Sequence, residues 1–108
     1  MNLDADAMEY RTLDLELDVD PSTANAELRV VRPDLSVSDW IPMEWVETAT
    51  VNPSGTYSAS AQVLLAGPGV LDPGAATVLP LGQSVAKWRI TGLGDEVIAR
   101  RWEIINVA

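Results

Sequence analysis

The stretch LDLELDVD, residues 13–20, decides the fold class, because apolar and acidic residues alternate in it without a break. A period of two belongs to a β-strand, whereas a helix would scatter both sets of residues around its circumference. The alternation therefore predicts a half-buried strand that extends back towards Met8 or Tyr10. The predicted inward residues are Leu13, Leu15, Leu17 and Val19. The predicted outward residues, called the acidic ladder below, are Asp14, Glu16, Asp18 and Asp20.

Turn residues divide the rest of the chain into further short strands. Runs with alternating or β-branched residues span residues 26–32, 40–47 and 57–65, and Pro42 suggests an edge or a bulge in the second of them. Residues 85–91 and 97–107 flank a glycine-rich turn and predict a hairpin, with a bulge near Arg100 and Arg101. The high alanine and serine content of residues 57–65 leaves a helix as the alternative there, and no stretch has the convincing periodicity of an amphipathic helix. This regular spacing of turns is typical of a β-sandwich.

The chain of 108 residues is long enough for one hydrophobic core, so we expect a single domain over residues 1–108. It contains no cysteine and no histidine. Thiolate nucleophiles, cysteine metal sites, the usual general base and the commonest zinc ligand are therefore excluded. An enzyme would have to work with carboxylates, lysine or arginine, as glycosidases do with paired carboxylates in a cleft. We expect no enzymatic activity, no metal and no other cofactor.

The charge of the chain is strongly negative, with seven basic and sixteen acidic residues and a net charge of −9. Residues 1–47 hold twelve of the acids and three of the bases, and the remainder is neutral. Such a field repels nucleic acids, so we expect no DNA or RNA binding. No apolar run approaches the roughly 20 residues of a membrane span, and the first residues lack the features of a signal peptide. We expect a protein made in the cytoplasm, with no membrane partner.

The acidic ladder is the strongest candidate site. The spacing Asp18-x-Asp20-x-Ser22 resembles the beginning of a calcium-binding loop, but Pro21 interrupts that loop and Glu27 comes two residues early for the closing ligand. Carboxylates along one strand face repel each other, which favours a face that is solvated or that meets a basic partner. We favour solvent or a basic partner over Ca²⁺.

The four tryptophans must supply most of the bulk of the core and of any interface, because the chain has no phenylalanine. Trp40 lies among polar residues and is the predicted interface anchor, although an aromatic platform for sugars is an alternative. Further core residues are predicted from inward positions on the other strands. They are Val30, Trp88, Ile90 and Trp102.

Arg100 and Arg101, together with Lys87 and Arg89, form the basic patch that the sequence suggests. We favour cross-strand ion pairs between this patch and acids of the final hairpin. Those acids are Asp95, Glu96 and Glu103. The alternative is a patch that docks onto the acidic face of a neighbouring copy, which would give a head-to-tail or ring-like contact.

Three stretches carry a resemblance to a known family. They are DPST followed by AELRVVRPD within residues 20–34, NPSGTYSA at residues 52–59, and PLGQSVAKWRITGLGDEVIAR at residues 80–100. Together they resemble short Ig-like proteins encoded among the structural genes of tailed bacteriophages, particularly phages of actinobacteria. The last stretch is similar to the recurrent ending of that family, an aromatic-centred strand followed by a short acidic turn and a closing strand.

The resemblance implies an Ig-like antiparallel β-sandwich of about seven strands, without catalytic residues to carry over. It also implies a virion component, assembled in the host cytoplasm in many symmetric copies, whose partners are capsid, connector or tail subunits. Within that role, head decoration or head–tail connection ranks above a tail or baseplate position. The alternative is an Ig-like module that binds the host surface or a carbohydrate.

Overall fold

The protein is all-β, as seen in a computed structural model that describes residues 1–18, 20–46, 49–93 and 96–108. Residues 93 and 96–102 are described by their backbone only. Strands make up 57% of the chain, and the described residues contain no helix, so none that could cross a membrane. The strands are β1 (Asn2–Leu3), β2 (Met8–Leu17), β3 (Asn25–Val31), β4 (Ile41–Pro42), β5 (Glu44–Trp45), β6 (Thr50–Val51), β7 (Tyr57–Ala66), β8 (Thr77–Val78), β9 (Gly82–Leu93) and β10 (Glu96–Val107).

The strands form two sheets. The first sheet has the order β1-β10-β9-β3-β4, and the second has the order β2-β7-β5, with β6 and β8 also paired to β7. Two pairs are parallel, β1 with β10 and β7 with β8, and the other named pairs are antiparallel. Because β1 lies beside β10, the first and last strands are neighbours.

One hydrophobic core joins the two sheets. The first sheet contributes cross-strand neighbours such as Leu28 on β3 and Trp88 on β9, which are 0% and 7% exposed. The second sheet contributes small and aliphatic side chains, because inward positions of β7 carry alanine, valine and leucine. Leu13 packs against this core from a half-buried position. Other predicted core residues buried in it are Leu15, Leu17, Val30 and Ile90.

The prediction of one strand over residues 40–47 is wrong, because the chain changes sheets within it. Pro42 pairs with Glu27 in the first sheet, and Trp45 pairs with Ala61 in the second sheet. Met43 lies between the two short strands, where it is buried and its backbone N–H donates to the carbonyl of Ala26 at 2.8 Å. A buried residue at the crossing keeps the apolar pattern continuous and hides the break, although Pro42 lies on an edge strand, as the sequence suggested.

The final hairpin is longer than the sequence predicts. Strands β9 and β10 have twelve residues each, and β9 also pairs along β3 from Val85 to Thr91. The register of the hairpin shifts twice, once between Glu96 and Ile98 and once between Arg101 and Glu103. The second shift lies one residue beyond the predicted bulge at Arg100 and Arg101.

Candidate functional site

The acidic ladder is shorter on the strand than predicted, because β2 ends at Leu17. Asp14 and Glu16 point outward from the second sheet and are exposed. Asp14 accepts a hydrogen bond from the hydroxyl of Ser60 at 2.6 Å, and Glu16 accepts one from the hydroxyl of Thr56 at 2.8 Å. Neighbouring hydroxyl groups therefore hold both carboxylates without neutralising them.

Asp18 and Asp20 lie beyond the strand, and Val19 lies outside the described residues. Asp20 closes a local turn, since its carboxylate accepts hydrogen bonds from both the hydroxyl and the backbone N–H of Ser22. These bonds favour the charged form, the side-chain bond most strongly, and hold the pKa of Asp20 below its usual value. The described residues contain no group of three or more acidic side chains placed to hold a metal ion.

Asp34 builds the same kind of turn in the loop after β3. Its carboxylate accepts hydrogen bonds from the hydroxyl of Ser36 at 2.6 Å and from the backbone N–H of Ser36 at 3.0 Å. These bonds, led by the side-chain one, lower the pKa of Asp34, and the nearby Arg32 adds a smaller effect. Leu35, between Asp34 and Ser36, takes the left-handed backbone conformation, with φ of 70°. Both lowered pKa values therefore belong to turns that fix the loop.

A shallow open groove runs along the outer face of the second sheet beside Asp14 and Glu16. The other residues that line it are Leu15, Thr50, Ser58, Ala59 and Ser60. The two carboxylates lie on the same strand two residues apart, and hydroxyl groups form most of the remaining polar lining. The groove offers hydrogen bonds and negative charge, and it contains no basic side chain.

Among the side chains that the structure describes, three basic ones lie on the outer face of the first sheet, which we call the basic face: Arg29, Lys87 and Arg89. Arg29 on β3 stands directly opposite Lys87 on β9 in the register of the sheet. Arg89 forms an ion pair with Glu27, with 3.0 Å between Nε and Oε1. Lys87 is exposed and has no acidic partner within the part of the chain that the structure describes.

Trp40 covers this basic face. The guanidinium carbons of Arg89 and Arg29 lie 4.1 and 4.5 Å from the centre of its ring. The indole is half-buried, and Nε of Arg29 is buried with no hydrogen-bond partner. At least one face of the ring is therefore occupied by the protein's own cations. The role of Trp40 as an interface anchor stays a prediction.

Several predicted residues lie where side chains are not described. The backbone of Arg100 pairs with Trp88, and that of Arg101 pairs with Lys87. The side chains of Arg100, Arg101 and Trp102 lie outside the described residues, as do those of Asp95 and Glu96. Their predicted roles in an interface, a core or an ion pair remain predictions.

Glu103 forms no ion pair with Lys87 or Arg89, the two cations of the basic patch whose side chains are described, and its pairing with Arg100 or Arg101 stays a prediction. Its carboxylate instead accepts from Nε of Arg11, which lies on β2 in the other sheet. The contact is half-buried and joins the two sheets near their shared edge. The sequence could not indicate it, because 92 residues separate the partners and no local pattern links them.

Comparison with protein families, with curated proteins and with solved structures found no match for this chain.

Proposed function

We propose that this chain is a non-enzymatic structural protein of a tailed bacteriophage virion, assembled in multiple copies at the head surface or the head–tail junction. The resemblance of residues 20–34, 52–59 and 80–100 to short Ig-like phage proteins motivates the proposal. The single structural observation that supports it best is the order of the strands, because an assembly protein of that family needs the Ig-like arrangement.

We infer that the two sheets form an Ig-like β-sandwich. In the Ig arrangement one sheet contains strands B, E and D, and the other contains G, F and C with an added C′. Assigning β2, β3, β4, β5, β7, β9 and β10 to B, C, C′, D, E, F and G gives these two sheets. The chain lacks the disulfide and the strand-C tryptophan of antibody domains, and Trp88 on β9 faces Leu28 instead.

Surface chemistry also favours assembly over catalysis. The outer face of the second sheet leaves Met8 at 43%, Tyr10 at 60% and Val78 at 46% exposed, and the same face carries Asp14 and Glu16. Exposed apolar side chains beside charged ones are what a protein-binding surface requires. Carbohydrate binding is the alternative, and its candidate platform, Trp40, has at least one ring face covered by arginine.

Mass spectrometry of purified heads and tails, analysed separately, tests the role. We expect the protein in the head fraction, in a copy number that is a multiple of the symmetry of the structure that carries it. Absence from both fractions would refute the virion role. Binding to a glycan array, without co-purification with particles, would favour the carbohydrate-binding alternative.

A further inference from the structure

The two outer faces of the molecule carry opposite charge. The sheets pack through their inner faces onto one core, so the outer face of the first sheet and that of the second lie on opposite sides of the protein. The outer side of the second sheet, called the acidic face, presents Asp14, Glu16 and Glu44 and has no basic residue among those described. The basic face presents three cations and one acid, Glu27, on β3 and β9.

The basic face is under-neutralised, although the chain as a whole has a net charge of −9. Arg29 and Lys87 stand directly opposite each other on neighbouring strands, an arrangement that repels. Within the described part of the chain neither has an acidic partner, and Nε of Arg29 has no hydrogen-bond partner there either. The chain has sixteen acidic residues, which is enough to place one beside these two cations. An acidic group from outside the chain that meets the exposed Lys87 would relieve the repulsion.

The acidic face has the matching spacing. Asp14 and Glu16 lie two residues apart on β2, and Lys87 and Arg89 lie two residues apart on β9, so each pair spans about 6.7 Å along its strand. Both pairs stand on the outer side of a sheet, where two such surfaces can approach each other. Trp40, half-buried over the arginines, adds the kind of residue that dominates interface energies.

We propose that the basic face of one copy docks onto the acidic face of a second copy of this chain. The contact joins two different surfaces, so it is heterologous and produces a ring where the rotation closes and a filament where it does not. This inference rests on the proposed function, which supplies the many copies, and it adds which two surfaces make the contact.

Paired charge reversals test the contact in solution. Lys87→Glu removes the positive partner, and Glu16→Lys removes the negative partner. Each variant alone should lose self-association, since reversal places like charges together. An equimolar mixture should recover it, because the unchanged acidic face of the first variant meets the unchanged basic face of the second. A contact that does not involve these two faces would show no such recovery.

Sedimentation velocity over a concentration series, at about 0.15 M salt, gives the readout. At that ionic strength repulsion between whole molecules is screened beyond about 8 Å, while contacting pairs are screened much less. We expect the association constant of each variant to fall about tenfold or more, a change of about 1.4 kcal/mol per factor of ten. Matched controls with the same change of charge elsewhere are Arg32→Glu and Asp6→Lys, which should associate as the wild type does.

Three results would overturn the proposed contact. The wild type could stay monomeric up to about 1 mM, a concentration at which weak contacts become visible. The control variants could lose self-association as much as the charge reversals do, or the mixture of the two reversals could fail to associate. Circular dichroism checks that each variant is folded, and Lys87→Gln replaces Lys87→Glu where it is not. Particle analysis separates the two proposals. If heads contain the protein and the variants still associate normally, the virion role stands and this interface falls.

Discussion

Gly67 occupies a position where no other residue fits. It follows β7 and lies against the turn through which the chain passes from β1 in the first sheet to β2 in the second. Its N–H donates to the carbonyl of Ala7 at 3.0 Å, and the N–H of Gly69 donates to the carbonyl of Ala5 at 2.6 Å. A Cβ atom at Gly67 would overlap the carbonyl group of Ala5 and lie 2.6 Å from the carbonyl oxygen of Asp4.

We therefore expect Gly67→Ala to destabilise the protein by about 2 kcal/mol. Overpacking costs about 1–3 kcal/mol, and here the obstacle is backbone, which cannot rotate away as a side chain can. Alanine also restricts the unfolded chain, which stabilises the protein by about 0.4–1 kcal/mol. Subtracting this from an overpacking cost near the top of its range leaves about 2 kcal/mol. For a chain of this size, 2 kcal/mol lowers the melting temperature by about 10 °C.

Thermal unfolding followed by circular dichroism measures this cost, with Gly55→Ala as the control. Gly55 has a φ of 86° and open space around its Cβ position, so alanine there meets backbone strain of about 1 kcal/mol but no overlap. Gly67→Ala should melt below Gly55→Ala. A melting temperature for Gly67→Ala within about 2 °C of the wild type would refute the close approach of the two loops.

Further predictions concern the core, the contact between the sheets and one turn. Leu28→Ala should cost about 3 kcal/mol by chemical denaturation, because a fully buried side chain leaves a cavity. A double-mutant cycle with Arg11→Ala and Glu103→Ala should give a coupling of about 1 kcal/mol, as expected for a half-exposed pair, and no coupling would refute the contact. The pKa of Asp20, measured by NMR titration, should lie below 3.8 and rise towards that value in Ser22→Ala. Folding lowers this pKa, so the turn contributes to the stability of the folded protein above pH 3.8. That contribution disappears as the pH falls through the lower pKa of the folded state.

A strand could be predicted from the sequence where its residue pattern depends only on which of its faces is buried. Alternation predicted β2, and turn residues around Gly92 predicted the final hairpin, because one buried and one solvated face impose a period of two. The end of β2 was predicted too late. Alternation continues to Asp20, but the carboxylate of Asp20 accepts from Ser22 in a local turn, and such bonds compete with extended structure.

Contacts between distant segments could not be predicted, and the basic face depends on them. Arg29 belongs by sequence to the acidic first 47 residues, so a count of charge along the chain hides it. The register of β3 against β9 places Arg29 beside Lys87, which lies 58 positions later in the neutral part of the chain. On the outer faces of the two sheets, the described charges therefore separate by sheet. Because that division places opposite charges on opposite sides of one small domain, a second copy is the simplest molecule whose surface complements both.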